Sequence, residues 1–387
     1  MSVSGSRKDL MRFLLLQVKQ NALDVDTAKA FIRTIEEGGS STEPIAVVGV
    51  AGRLPGADDK DTFWANLVAG RESIGDFPEE RLDDLRRVAD PGRQTKGGYL
   101  DRVDEFDPEY FGITPQAAVE LDPYHRMVME LLVETMEDAG HPRSSLEGSR
   151  TGVFVGTDNS HRLNMSYLPF LPEVDFSAMS GSWPGLLAGR LSYHFDLRGP
   201  AMVTDTGCSS GLLALDSAIK AIRAGDCSGA LVAAVNLFLN PGSLGSETES
   251  ADCQVRAFDA DAHGTVWSEG LAAVYIKPLS QAVADRDHVY GLITGHAVNS
   301  DGRSNGITAP SAARWGLARS SRISACSAIA SSSSSSPCPV WAETSTSCTS
   351  PDIASTTTSC CKRSVRTFCG LAVGLSILLI ATIIGTP

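Results

Sequence analysis

Cysteine is scarce in the first 313 residues of this 387-residue chain, which hold only Cys208, Cys227 and Cys253 of its nine cysteines. So few thiols are typical of a reducing compartment and exclude a disulfide-rich secreted domain. The six later cysteines show no Cys-x-x-Cys or Cys/His spacing. The sequence therefore predicts no metal site.

A basic excess and a secretory leader are missing as well. The net charge of −13 does not suit a nucleic-acid partner. The apolar run at residues 13–16 is too short for a signal peptide and has charged flanks. A glycine-rich turn at Gly49 and Gly52 lacks the G-x-G-x-x-G spacing, so no nucleotide cofactor is expected. We predict a cytoplasmic protein without a bound cofactor.

What the chain does contain is a series of short apolar runs separated by helical patterns. The runs lie at residues 45–50, 151–156, 229–235, 271–276 and 290–294. Strands that are apolar throughout belong to a sheet covered on both faces by helices. The sequence therefore predicts an α/β fold. Residues 71–110 are polar and rich in turn signals, so we expect a surface loop region there.

The chain is organised around residues 201–222. A short strand ends before Gly207 and Cys208, and Leu212, Leu215 and Ile219 then recur at helical spacing. A thiol at such a strand-to-helix turn faces free N–H groups and the helix dipole, which favour the nucleophilic thiolate. Cys208 is thus a candidate nucleophile. The alternative is a buried structural cysteine.

Both ends of the chain differ from its centre. Residues 1–42 are predicted to be a helical appendage and linker, which packs on the main domain or on another protein. Residues 314–366 are rich in serine and cysteine, with 15 serines in the 48 positions 314–361, and are predicted to be disordered. Residues 367–387 form an apolar tail after basic residues. That tail is long enough to be a membrane anchor. The alternative is a stretch of sequence that was never selected for any function.

Several stretches between residues 43 and 313 resemble, in order, the ketosynthase of modular polyketide synthases, a member of the thiolase-like superfamily. The stretches are residues 43–49 (EPIAVVG), 111–115 (FGITP), 121–126 (LDPYHR), 189–193 (GRLSY), 196–200 (DLRGP), 205–210 (DTGCSS), 258–260 (FDA), 268–270 (SEG) and 299–306 (NSDGRSNG). The resemblance assigns residues 43–313 to an incomplete ketosynthase-like domain.

This resemblance implies a fold and a chemistry. The fold is a thiolase-like layered α/β/α sandwich, with the first half present and the second half largely missing. Cys208 would accept an acyl group from the phosphopantetheine of an acyl carrier protein and condense it with a malonyl-type carrier thioester, in polyketide or fatty-acid-like biosynthesis. The implied partners are an acyl carrier protein, other polyketide synthase domains, and a second copy of the chain along the strand before Cys208.

The family's two catalytic histidines belong to the missing half, because the last histidine here is His296. The tripeptide at His263 precedes residues 268–270 and is therefore assigned a turn role. We interpret the remaining histidines as structural or surface residues: His125, His141, His161, His194 and His288.

Whether the chain is an enzyme is thus left open between three hypotheses: an acyltransferase of the β-ketoacyl synthase type, a catalytically incomplete fragment that at most self-acylates, and a membrane-tethered interaction module. The abrupt change of composition near Ala313 suggests a shifted reading frame or retained intron sequence. The alternative is a true single-domain variant.

Overall fold

The computed structural model describes most of the chain between Glu43 and Ser300. The described residues are 43–88, 96–158, 167–239, 250, 252–256, 261, 264–298, 300 and 323–325. The appendage at 1–42 and the tail at 367–387 lie outside them, as do residues 314–366 apart from the short strand 323–325. The expectations for these segments stay predictions. Within the described part, no helix is long and apolar enough to cross a bilayer.

Seven strands form one mixed sheet in the order β3-β2-β4-β5-β1-β6-β7. Their bounds are β1 Ile45–Arg53, β2 Thr151–Thr157, β3 Ala201–Thr204, β4 Gly229–Asn236, β5 Gly270–Pro278, β6 Gly291–Ile293 and β7 Ile323–Ala325. β3 and β4 both run parallel to β2, and the remaining neighbours are antiparallel. All five apolar runs are confirmed as strands.

Helices cover both faces of the sheet. They are α1 Lys60–Ala69, α2 Glu79–Val88, α3 Pro115–Glu120, α4 Pro123–Asp138, α5 Arg143–Leu146, α6 Phe176–Ser182, α7 Leu187–Phe195, α8 Ser210–Ala224 and α9 Leu279–Asp285. One core cluster joins α4 and α7 to one face, and a second joins α8 to the other. This is the layered α/β/α arrangement predicted for the first half of a thiolase-like sandwich.

Helix α4 begins as the sequence indicates. Asp122 caps it by accepting a hydrogen bond from the Tyr124 N–H at 3.0 Å, and Pro123 occupies the first turn. Beyond its last residue Asp138, Gly140 adopts a φ of 73°. Ten of the residues of α4 are buried, so the helix lies inside the protein and anchors its face of the sheet.

The surface loop expected at residues 71–110 is wrong in part, because α2 forms within it. Glu79 and Glu80 occupy its first turn and Arg86 and Arg87 its last, which suits the helix dipole. The region also contains buried side chains, among them that of Tyr99. The polar composition hid a helix that is held by an ion pair with a residue distant in sequence, described below.

Strand β3 lies at the edge of the sheet and precedes the Cys208 turn. Met202 on β3 and Tyr193 on the neighbouring α7 are exposed, as is Leu186 in the 3₁₀ turn before α7. β3 pairs only with β2 among the described strands. An unpaired edge and apolar side chains therefore occur together beside the candidate site.

Candidate active site

Cys208 lies in the turn between β3 and α8, as the sequence predicts. Gly207 has a φ of 60°, in the left-handed region where a side chain would be strained. Ser209 precedes the first residue of α8 and offers that helix no side-chain cap. Cys208 is half-buried and carries a free thiol. The thiol therefore stands at the uncapped N-terminus of a 15-residue helix.

Serine hydroxyls hold this turn in shape. The Ser210 Oγ accepts from the Thr206 N–H at 2.8 Å and donates to the Gly207 carbonyl at 2.7 Å. The Ser209 Oγ donates to Thr206 on the outer side of the turn. The Asp205 carboxylate accepts from the Gly207 N–H at 3.1 Å. The backbone on both sides of Cys208 is thus restrained by side chains of the turn itself.

The start of α8 packs closely on β2. A Cβ atom built on Gly156 would lie 2.5 Å from the Gly211 nitrogen. No side chain fits there, so backbone meets backbone at this crossing. Gly211, whose backbone nitrogen and Cα face Gly156, is buried at this crossing.

The helix dipole is expected to favour the thiolate of Cys208, but the pKa of this thiol is raised instead. Burial raises the pKa of its thiol, and the negative charge of Asp158 raises it further. The hydrogen bond from the residue's own N–H acts in the opposite direction and does not reverse the shift. Of the described residues, no histidine contributes to this pKa. The thiol needs an additional base or cation to become a strong nucleophile at neutral pH.

The described histidines have structural contacts elsewhere. His141 contacts Asp287, and His288 packs edge-on against Tyr290. His296 contacts Asp216 and Arg223 on α8. His125 is buried within α4, and the backbone carbonyl of His194 accepts from Arg143. His161 and His263 lie outside the described residues, so the turn role of His263 stays a prediction.

The 205–210 turn and its sheet are matched by known proteins. The family model of the beta-ketoacyl synthase N-terminal domain matches residues 42–282, more than half of the chain. The chain belongs to the beta-ketoacyl synthase family. It is 39% identical over 295 residues to the polyketide synthase PksM of Bacillus subtilis. It is 38% identical over 300 residues to the spectinabilin polyketide synthase system protein NorC of Streptomyces orinoci.

These two relatives are much longer than the chain. The PksM match covers 75% of this chain and 7% of PksM, and the NorC match covers 73% of this chain and 13% of NorC. The resemblance to a ketosynthase of modular polyketide synthases is confirmed, for the N-terminal part of that domain.

Solved ketosynthases have the same fold. The ketosynthase from module 6 of the bacillaene synthase of Bacillus subtilis 168 aligns with a TM-score of 0.60 at 37% identity, over 70% of this chain and 46% of its own. The oxazolomycin ketosynthase domain OzmH KS7 of Streptomyces albus JA3453 aligns with a TM-score of 0.62 at 35% identity, over 71% of this chain and 51% of its own. The chain thus spans about half the length of these ketosynthases.

Two features were not predicted from the sequence, one beside Cys208 and one in the packing of the fold. Asp158 follows β2, and Cys208 follows β3, which is parallel to β2. The carboxyl ends of parallel strands meet at one edge of a sheet, so this neighbourhood could have been inferred from the pairing. The second feature is the ion pair of Arg81 and Glu269, for which the motif at 268–270 was the only signal.

A pocket of about 440 Å³ lies elsewhere, between α2, the start of α4 and the 3₁₀ turn Leu168–Phe170. Acidic and basic side chains alternate around it, among them Asp84, Arg87 and Arg126, and Cys208 is not part of its lining. No group of three or more metal-ligating side chains occurs within the described part of the chain.

Proposed function

We propose that Cys208 accepts an acyl group from the phosphopantetheine thioester of an acyl carrier protein, as the first step of a β-ketoacyl synthase reaction. The observation that best supports this is the position of a free, half-buried thiol at the uncapped N-terminus of α8. It lies in the part of the chain that matches the family. A structural cysteine would be fully buried, as Cys227 is.

In the acyl transfer, the Cys208 thiol replaces the pantetheine thiol in the thioester. The Cys208 sulfur attacks the thioester carbonyl, and the carbonyl oxygen takes up the negative charge of a tetrahedral intermediate. The N–H of Cys208 is the proposed donor to that oxyanion. The C–S bond to the carrier then breaks, the pantetheine thiol takes the proton that Cys208 gave up, and the acyl group remains on Cys208.

The condensation that follows needs more chemical steps than the acyl transfer. A malonyl-type thioester would lose carbon dioxide, and its carbanion would displace the Cys208 sulfur from the acyl group to form a β-ketoacyl thioester. The raised pKa of Cys208, with no histidine contribution from the described residues, favours the catalytically incomplete alternative for this step. That alternative is a chain that self-acylates and does not condense.

One assay separates the two versions. The full chain is incubated with an acyl-carrier thioester and then with a malonyl-carrier thioester, and the Cys208 peptide and the released products are analysed by mass spectrometry. Acylation with β-ketoacyl product supports the complete reaction, and acylation alone supports the incomplete one. Cys208→Ala must abolish labelling and Cys253→Ser, at the other half-buried thiol, must leave it unchanged. An unlabelled Cys208 rejects both.

The same proposal includes a homodimer and carrier-protein partners. The exposed edge of β3 with Met202 and the neighbouring Tyr193 is the surface that we assign to a second copy of the chain. Met202→Glu, which places a charge on this edge, is expected to shift a dimer to a monomer in sedimentation. Val68→Glu replaces another exposed apolar side chain, on α1, and is the control.

A further inference from the structure

Ser210 is an unusual serine for the first residue of a helix, because it is 3% exposed and both roles of its hydroxyl are used. The oxygen accepts from the Thr206 N–H at 2.8 Å, while the hydroxyl proton goes to the Gly207 carbonyl at 2.7 Å. A hydroxyl has one proton and two lone pairs, so it makes both bonds at once. Cys208 lies inside the loop of chain that these bonds close.

The direction of the Gly207 carbonyl determines the direction of the Cys208 N–H. This carbonyl accepts a second hydrogen bond, from the Ser210 N–H at 3.0 Å, so two donors of one residue fix its direction. The same peptide unit that carries the Gly207 carbonyl carries the Cys208 N–H. Because a trans peptide is planar, its C=O and N–H point in opposite directions. Holding the Gly207 oxygen therefore aims the Cys208 N–H.

The other described residues of the turn do not fix the direction of the Gly207 carbonyl. Gly207 has a φ of 60°, and the absence of a side chain gives its backbone more freedom than any other residue would. Ser209 donates its hydroxyl to Thr206 and not to the Gly207 carbonyl. Nothing else among the described residues donates to the Gly207 oxygen.

We propose that Ser210 is a positioning residue that aims the Cys208 N–H at the oxyanion of the acyl-transfer step. This inference rests on the proposed function of Cys208 as an acyl acceptor. The proposal predicts different effects of Ser210 on two reactions of the Cys208 sulfur. Attack on a thioester builds an oxyanion and needs the aimed N–H, whereas alkylation by iodoacetamide builds none.

The test compares these two reactions on the Cys208 peptide of the full chain, with acetyl-pantetheine and iodoacetamide as probes. Ser210→Ala is expected to slow acetylation about tenfold or more and to leave alkylation within about twofold of the wild-type rate. Ser210→Thr, which keeps the hydroxyl, restores acetylation. Ser217→Ala is the matched control, because its hydroxyl donates to Leu213 on the same helix at 2.9 Å, away from the turn.

A second measurement keeps the inference independent of activity. In chain labelled with ¹⁵N-cysteine, the amide resonance of Cys208, assigned with Cys208→Ser, should move in Ser210→Ala and stay in place in Ser217→Ala. If the wild-type chain is not acetylated, the proposed function of Cys208 is rejected. The amide resonance of Cys208 still tests whether Ser210 positions its N–H. Equal slowing of both reactions, no slowing of either, or an unmoved Cys208 amide overturns the inference.

Discussion

The guanidinium of Arg81 and the carboxylate of Glu269 form a bidentate ion pair inside the protein, with distances of 2.7 and 2.8 Å. Glu269 is fully buried and also accepts from the Leu100 and Phe238 N–H groups. Arg81 further donates to the carbonyls of the same two residues and lies over the Phe77 ring. The pair therefore ties α2, the chain after β4 and the start of β5 together.

Removing one member of this pair should be far more costly than removing a surface pair. Glu269→Ala leaves a buried guanidinium and two backbone N–H groups without their acceptor, and we expect a loss of about 3–5 kcal/mol of unfolding free energy. The measurement is a urea titration followed by circular dichroism. Arg86→Ala, which removes exposed pairs with Glu79 and Asp83 on the same helix, should change the midpoint little. Similar midpoints for both variants would contradict this account.

The crossing of β2 and α8 predicts a strong effect of one methyl group. Gly156→Ala puts a Cβ 2.5 Å from the Gly211 nitrogen, so α8 must move away from the sheet. We expect a loss of about 1–3 kcal/mol in unfolding free energy and slower acylation of Cys208, because the turn moves with the helix. Gly189→Ala is the control. Nothing lies within 4 Å of its Cβ in α7, so it should be neutral or stabilising. A Gly156→Ala chain as stable as wild type rejects the close packing.

The charge of Asp158 predicts the pH dependence of the Cys208 thiol. Since burial and this carboxylate raise the pKa of Cys208, its alkylation by iodoacetamide should increase with pH through a midpoint above that of an ordinary cysteine. Asp158→Asn removes the negative charge and favours the thiolate, so the midpoint falls and the rate at a pH of about 7.5 rises about three- to tenfold. Peptide-resolved mass spectrometry follows Cys208 separately from the other cysteines.

Asp226→Asn is the matched control for that experiment. Burial, then Asp226, raise the pKa of Cys227 to about 11, so this variant should change Cys227 and leave Cys208 as it was. The account fails if Asp158→Asn slows Cys208 alkylation or if Asp226→Asn accelerates it equally.

The Asp216 side chain on α8 predicts a dependence of stability on acid. Burial opposes its charged form, but the ion pair with Lys220, at 2.7 Å, and the contact with His296 hold its pKa below the usual range. A carboxyl whose folded pKa is lowered stabilises the protein above its unfolded pKa of about 3.9 and loses that contribution as the pH falls through the folded value. Asp216→Asn should therefore cost about 1–2 kcal/mol near a pH of about 7 and progressively less below about pH 4.

Unfolding by urea at several pH values measures this difference. Asp84→Asn, which removes an exposed pair with Arg87, should show no such pH dependence. A cost of Asp216→Asn that grows as the pH falls would contradict the assigned sign.

The parts of the fold that the sequence predicted well are those with a local signal. The strands were visible as apolar runs because both faces of the sheet are covered, and α4 was visible from Asp122, Pro123 and its buried face. Cys208 was located by the change from a strand pattern to a helical one. Ordered motifs then identified the family, which the match to residues 42–282 confirms.

The parts that were missed depend on contacts between distant residues. Helix α2 is polar, and its anchor Glu269 is 188 residues away from Arg81. The pKa of the Cys208 thiol was expected in the wrong direction because its burial, and then the charge of Asp158 at the end of β2, depend on tertiary packing. The hydroxyl bonds of Ser210 were not visible either, since a serine beside a cysteine in such a turn has many local roles.

The position of β1 in the sheet has a consequence for synthesis on the ribosome. β1 pairs with β5 and β6, which come last among the strands before residue 300, and Glu43 accepts from Ser280 across 237 residues. At about 5–20 residues per second, the ribosome needs on the order of ten to fifty seconds to cover that distance. During this time an apolar strand has emerged and has no partner. A chaperone that binds nascent chains would meet this strand before any other strand of the sheet.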